Sequence, residues 1–145
     1  MSEASYFKNQ IVVADADALI ALTLEHDPHH KKAVSLAEMF TRNLVTVIFP
    51  ITVFPEAVTT LKRAFNQPEK ARLINKQYQQ GAFHVEYITE RIMMRASQIF
   101  DKAVSKQNTL FDAIVASTAE VLEAEAIFSF DNWYVKLGFI LASDI

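Results

Sequence analysis

The sequence contains no cysteine, which excludes disulfides and thiolate-held metals and suits a reducing compartment. It has only two glycines, Gly81 and Gly138, so phosphate-cradling loops of the GxGxxG or GxxxxGKS/T type are absent, and with them the usual nucleotide-cofactor readings. No apolar run approaches the roughly 18 uninterrupted residues of a membrane span, so no membrane segment is expected. The opening MSEASYFKNQ has no basic stretch leading into an apolar one. A leader peptide is therefore not expected, and a cytoplasmic protein is the default. The net charge of -3 argues against broad, charge-driven binding of nucleic acid by the whole surface, while leaving room for a local basic face around an acidic centre.

What is present describes an ordinary globular chain. The 145 residues fit one domain, 1–145, with room for a substantial core. Hydrophobic content of 51% and charged content of 21% are far from those of a disordered chain. The chain is organised around residues 11–22, IVVADADALIAL. Apolar residues 11–14 read as a fully buried strand, with Asp15 and Asp17 at its end and a helical apolar pattern beyond. This is how an α/β unit begins, and in open parallel sheets ligands bind beyond the carboxyl ends of the strands. A carboxylate buried among Val and Ala is costly unless a cation or several donors satisfy it. The plainer reading is that Asp15 or Asp17 caps the following helix.

The pattern then alternates. A helix is expected over 18–25 and another over about 29–43, with Asp27-Pro28 at its start and Ala33, Leu36, Ala37 and Phe40 on one face. His29 and His30 begin it; adjacent helical residues point apart, so they read as exposed polar positions rather than metal ligands. Residues 44–49 form a second strand ended by Pro50. Thr52 is placed to cap a third helix, with Glu56 near its apolar side. Pro68 opens a fourth helix that Gly81 ends. Residues 83–87 read as a short edge strand with His84 and Glu86 on its polar face. Thr89 caps a long helix to about Lys106, and Asn108 or Thr109 caps a central, well-buried helix over 110–123 with Asp112 in its first turn. A buried strand over 126–130 leads to Asp131, a turn or short helix follows, and 139–142 form a last short strand. Alternating strands and helices imply a parallel sheet with helices on both faces.

Four acids occupy matching places. Asp15 and Asp131 end buried strands; Glu56 and Asp112 stand in the first turns of helices. In a parallel α/β fold these positions share one rim. Helix N-termini help a carboxylate modestly, but four negative charges in one cleft raise each other's pKa values steeply. A hard divalent cation resolves that repulsion, and oxygen-only ligands favour Mg²⁺ or Mn²⁺ over Zn²⁺. Such an ion activates water and stabilises charge developing on a phosphodiester.

The sequence resembles the PIN-domain ribonucleases, which include the toxin halves of VapBC-type toxin–antitoxin pairs. The resemblance runs from about Ile11 to Ala142 and rests on VVADADALIAL, PEAVTTL, LFDAIVASTAEVLEA and IFSFDNWYVKLG. Asp15 matches the family's first metal-binding acid, Glu56 the second, Asp112 the third and Asp131 the fourth, in order and at similar spacing. The resemblance implies a three-layer α/β/α sandwich with a central parallel sheet, one or two Mg²⁺ or Mn²⁺ ions, and hydrolysis of RNA. It also implies a homodimer, and an antitoxin partner whose tail covers the acidic cleft. Asp17 stands where the family more often has Ser, Thr or Asn, and so reads as an extra ligand or an acid just behind the metal. Lys62, Arg63, Lys70 and Arg72 are the nearest source of phosphate attraction, or simply solvated helix faces.

Two other readings compete. Asp15-Ala16-Asp17 after a buried strand also resembles the opening of haloacid-dehalogenase-type phosphatases, with a nucleophilic first Asp and an acid second. Thr46 or Thr52 and Lys106 would have to complete that site, no late acidic pair is present, and Glu56 and Asp112 are left without a role. The third reading is a non-catalytic PIN-like interaction module, against which the presence of all four acids speaks.

Overall fold

A computed structural model describes residues 10–145, so the reading of the N-terminal segment as free of a leader falls outside the described residues. Strand β1 (Ile11–Ala14) has three consecutive buried residues, Val12, Val13 and Ala14. Neighbouring strand residues point to opposite faces, so both faces of the sheet are covered. β1 pairs in parallel with β2 (Thr46–Pro50) on one side and β4 (Ala126–Phe128) on the other. β3 (His84–Glu86) pairs in parallel with β2 at the edge, with His84 exposed as its polar pattern predicts. The order is β3-β2-β1-β4. The chain moves outward from β1 through β2 to β3 and then returns to the far side of β1. The switch point of the sheet therefore lies between β1 and β4, where α/β folds open a ligand crevice.

The helices are α1 (Ala16–Thr23), α2 (His30–Arg42), α3 (Val53–Arg63), α4 (Pro68–Gln79), α5 (Glu90–Lys102), α6 (Leu110–Val121) and α7 (Trp133–Lys136). α6 packs on β1, β2 and β4 and carries α5 on its outer side; α2 packs on β2, and α1 packs on α2 and α3. This is the expected α/β/α arrangement. Every residue of α6 from Ala113 to Ala119 is buried. Its alanines let the helix axis approach the sheet closely, which makes α6 the central helix. No helix among the described residues is long and apolar enough to cross a membrane.

An aromatic cluster fixes α3 against the sheet. Phe49 of β2 lies 5.8 Å from Phe54 of α3 and 5.2 Å from Phe83, ring centre to ring centre. Phe54 also meets Tyr78 of α4 at 5.0 Å and Phe83 at 5.1 Å. Glu56 is two residues beyond Phe54, so this packing sets where its carboxylate stands.

Several boundaries differ from the sequence expectation. β2 begins at Thr46 because Leu44, with φ of 55°, turns the chain out of α2 instead of opening the strand. α1 starts at Ala16, directly behind the strand, and ends at Thr23. Thr52 does not cap α3: its backbone is already helical (φ -66°, ψ -20°), where a cap needs extended backbone. α5 stops at Lys102, with Ala103 extended, and Val104 and Ser105 extend no helix. The last strand shrinks to one parallel bridge between Leu141 and Ile127, because the chain turns at once into a 3₁₀ helix at Ala142–Asp144. Gly81 does end α4, in the left-handed conformation (φ 73°) and with its N–H donating to the Tyr78 carbonyl.

Truncating Phe54 to Ala empties the centre of the aromatic cluster. Urea denaturation is expected to show a loss of about 3–5 kcal/mol. Met94→Ala, on the exposed side of α5, should stay within about 0.5 kcal/mol of the wild type.

Candidate active site

Asp15 follows the last residue of β1, and its N–H donates to the Phe128 carbonyl at 3.0 Å, continuing the β1–β4 ladder. It is the N-cap of α1, as the plainer sequence reading held: Oδ1 accepts from the Ala16 N–H at 2.6 Å. Oδ2 accepts from the Tyr134 hydroxyl at 2.5 Å. The side chain is 5% exposed, so both oxygens are held in a nearly dry setting. Asp112 stands in the first turn of α6. Thr109, not Asn108, is the N-cap, and it forms a capping box with Asp112. The Thr109 N–H donates to Asp112 Oδ2 at 2.8 Å. Glu56 lies in the first turn of α3, half-buried.

These three acids converge. One carboxylate oxygen from each of Asp15, Glu56 and Asp112 lies within 4.8 Å of the other two. Asp131 and Asp17 stand beside this triplet and outside it. Asp131 follows β4 by three residues; its Oδ1 accepts from the Trp133 N–H at 2.9 Å and its Oδ2 from Asn108 Nδ2 at 3.0 Å. The same Asn108 nitrogen donates to Asp112 Oδ2 at 3.3 Å, so one amide bridges two acids. Asp17 Oδ2 accepts from the Ser129 hydroxyl at 2.9 Å and the Phe130 N–H at 2.8 Å, while its Oδ1 is buried without a hydrogen-bond partner among the described residues.

The electrostatics follow from this crowding. Burial, and then the Asp17 charge, push the Asp15 carboxyl well above the ordinary carboxylate range; the Tyr134 hydrogen bond pulls the other way. Burial, then Asp112 and Asp17, raise Glu56 to about 7. Burial raises Asp112, opposed by the Thr109 backbone hydrogen bond. Burial also raises Asp17 against the donors from Phe130 and Ser129. No Lys or Arg forms an ion pair with any of the five acids among the described residues. A cluster of converging oxygen donors with no internal counter-charge fits a hard divalent cation.

Three of the four basic residues line two different recesses. Lys62 and Arg72 share a groove between α3 and α4 of about 200 Å³. Lys70 instead lines a cavity of about 390 Å³ with Phe65, Gln67 and the segment from Leu24 to Pro28. The two histidines are not idle surface. His29 stacks flat on Phe130, ring centres 4.2 Å apart, and His30 Nδ1 bonds the Ala21 carbonyl at 2.7 Å.

Two residues at the site escaped the sequence reading. Tyr134 is fully buried, and a buried phenol needs a partner, which was its only signal. Asn108 was visible as a possible cap, one residue too early. Its spacing of four residues from Asp112 was the better clue.

The PIN domain family profile matches residues 12–140, which is nearly all of the described chain. No curated protein matches the sequence. Among solved structures, VapC20 of Mycobacterium tuberculosis, described as a toxin that cleaves the sarcin–ricin loop, superimposes with a TM-score of 0.78 at 17% identity. The match covers 92% of this chain and 98% of that one, so the two share a fold across their length. The order of the sheet, the acids at its switch point and the profile match agree: this chain belongs to the PIN domain family.

Proposed function

We propose that this protein is a metal-dependent endoribonuclease, and that Asp15, Glu56 and Asp112 hold its divalent ion. The observation that carries the reading is the convergence of those three carboxylates at the switch point of a PIN-family sheet. Asp131 belongs to the same centre, joined to Asp112 through Asn108; Asp17 adds charge behind it while bracing the end of β4. The oxygen-only donors favour Mg²⁺ or Mn²⁺. A hard divalent ion there supplies Lewis-acid stabilisation of charge on a phosphodiester and lowers the pKa of water.

The protein's own contribution is placement and proton control. Asp15 is rigid because backbone and phenol donors hold both of its oxygens. Glu56, raised to about 7, carries a proton for much of the time at neutral pH and would have to release it to hold an ion. The toxin reading extends this one: VapC20 is described as a sarcin–ricin-loop-cleaving toxin, and the shared fold together with the family supports an RNA substrate and an antitoxin partner here. A homodimer belongs to the same proposal, and light scattering reads it directly.

The phosphatase reading gives Glu56 and Asp112 no role although both converge on Asp15, and one of its two candidate threonines stands far from the site. Thr46 pairs with Ile11, at the opposite end of β1 from Asp15, about four strand residues or ~13 Å away. The Oδ2 atom of Asp17 is engaged by Ser129 and Phe130, as a brace at the end of β4.

Two outcomes test the centre. In EDTA the folded protein binds more protons than the unfolded chain between the ordinary Glu value of 4.5 and about 7, so stability falls as pH rises through that window. Thermal melts should therefore give a lower midpoint at pH 8 than at pH 5.5. Glu56→Gln should raise the pH 8 midpoint by about 3 °C, the shift that roughly 1 kcal/mol gives in a chain of this size after allowance for solvent screening. A midpoint that rises with pH would contradict the crowding. Separately, Asp15→Asn and Asp112→Asn should each abolish Mn²⁺-dependent RNA cleavage while circular dichroism stays native; full activity in either sinks the nuclease reading.

A further inference from the structure

Two of the three converging acids, Asp15 and Asp112, accept from a neutral side chain that reaches them across the cleft rim. Tyr134, in α7, reaches Asp15 Oδ2 at 2.5 Å from the β4 side of the cleft. Asn108 comes from the loop between α5 and α6 and spans Asp112 Oδ2 at 3.3 Å and Asp131 Oδ2 at 3.0 Å. Each donor adds a side-chain hold to an acid that also accepts from a backbone N–H: that of Ala16 for Asp15, Thr109 for Asp112 and Trp133 for Asp131.

We propose that Asn108 and Tyr134 are positioning residues of the metal centre, a neutral frame that fixes Asp15, Asp112 and Asp131 before any ion arrives. The inference rests on the metal-centre reading above. Its chemical logic lies in the choice of donor. A Lys or Arg at either place would relieve the repulsion among the acids, but its charge would then compete with the ion. A carboxamide and a phenol hold the same oxygens without adding charge. The acids thus keep both their geometry and their appetite for a cation. Donors behind the ligands that orient them usually matter to affinity by one to two orders of magnitude.

Tyr134→Phe removes one hydroxyl and no volume; Asn108→Ala removes the bridge in a half-buried loop. Each purified variant is titrated with Mn²⁺ alone by calorimetry, beside the wild type, and melted in EDTA. Affinity for Mn²⁺ is expected to fall about 10- to 100-fold in each variant that keeps its native fold. A role confined to packing would move the EDTA melting midpoint and leave the dissociation constant within about twofold. Wild-type affinity in both variants overturns the frame, and wild-type affinity in one removes that residue from it. If Tyr134→Phe does not fold, the Asn108 result decides. If the wild type itself binds no Mn²⁺, the metal centre fails and the frame with it; if it binds and the variants match it, only the frame fails.

Discussion

Three carboxylates within 4.8 Å of one another, at the mouth of a buried sheet, are a contact the rest of the fold must offset. Two unit charges about 4 Å apart near a protein surface repel by on the order of 4 kcal/mol. A flexible scaffold would relax by letting them part. Here the scaffold does not yield, because each acid is anchored to a different rigid element. Asp15 is continuous with β1, Asp112 with the buried helix α6, and Glu56 with α3, which the Phe49–Phe54–Phe83 cluster pins to the sheet. Part of the repulsion is carried as protons, which is why burial and neighbours raise Asp15, Glu56 and Asp112 together.

The topology explains why the crowding falls where it does. β1 lies between β2 and β4, and the chain leaves its two flanks in opposite directions. The crevice this opens is floored by the end of β1 and walled by the segments after β2 and β4. All three converging acids also sit at the N-terminal ends of helices, α1, α3 and α6, where unsatisfied N–H groups favour negative charge. That help is modest and directional. It orients Asp15 and Asp112 toward the crevice without cancelling their charge.

Much of this was legible in the sequence, for reasons that differ by element. The buried run IVVA and the small-residue face of α6 are strong signals because a strand or helix covered on most sides carries a nearly continuous run of apolar and small residues. The acids were legible as a set because each stands just past a buried strand or in the first turn of a helix. What could not be read were features that depend on where the chain goes next. Leu44 looks like strand and is a left-handed turn; residues 139–142 look like strand and pair once before turning away. Tyr134 could not be assigned because its partner, Asp15, lies far off in sequence, and the same holds for the Asp131 half of the Asn108 bridge. The reach of the triplet was also hidden: spacing suggested four converging acids, and the three-dimensional arrangement separates Asp131 by one bridging amide.

Asp17 shows how a bond and a charge can be told apart. Its Oδ2 joins α1 to the end of β4 by accepting from Ser129 and Phe130. The oxygen of an Asn side chain could accept the same two donors, since a carbonyl oxygen has two lone pairs. The brace alone therefore does not call for an acid. What the carboxylate adds is its charge, and that charge works against the folded protein, being the largest influence on Asp15 after burial and one of two acids acting on Glu56. An acid kept at such a place deepens the negative potential of the crevice beyond what its neighbours supply. The same field that destabilises the empty crevice strengthens its attraction for a cation, so stability and affinity pull in opposite directions at this one side chain.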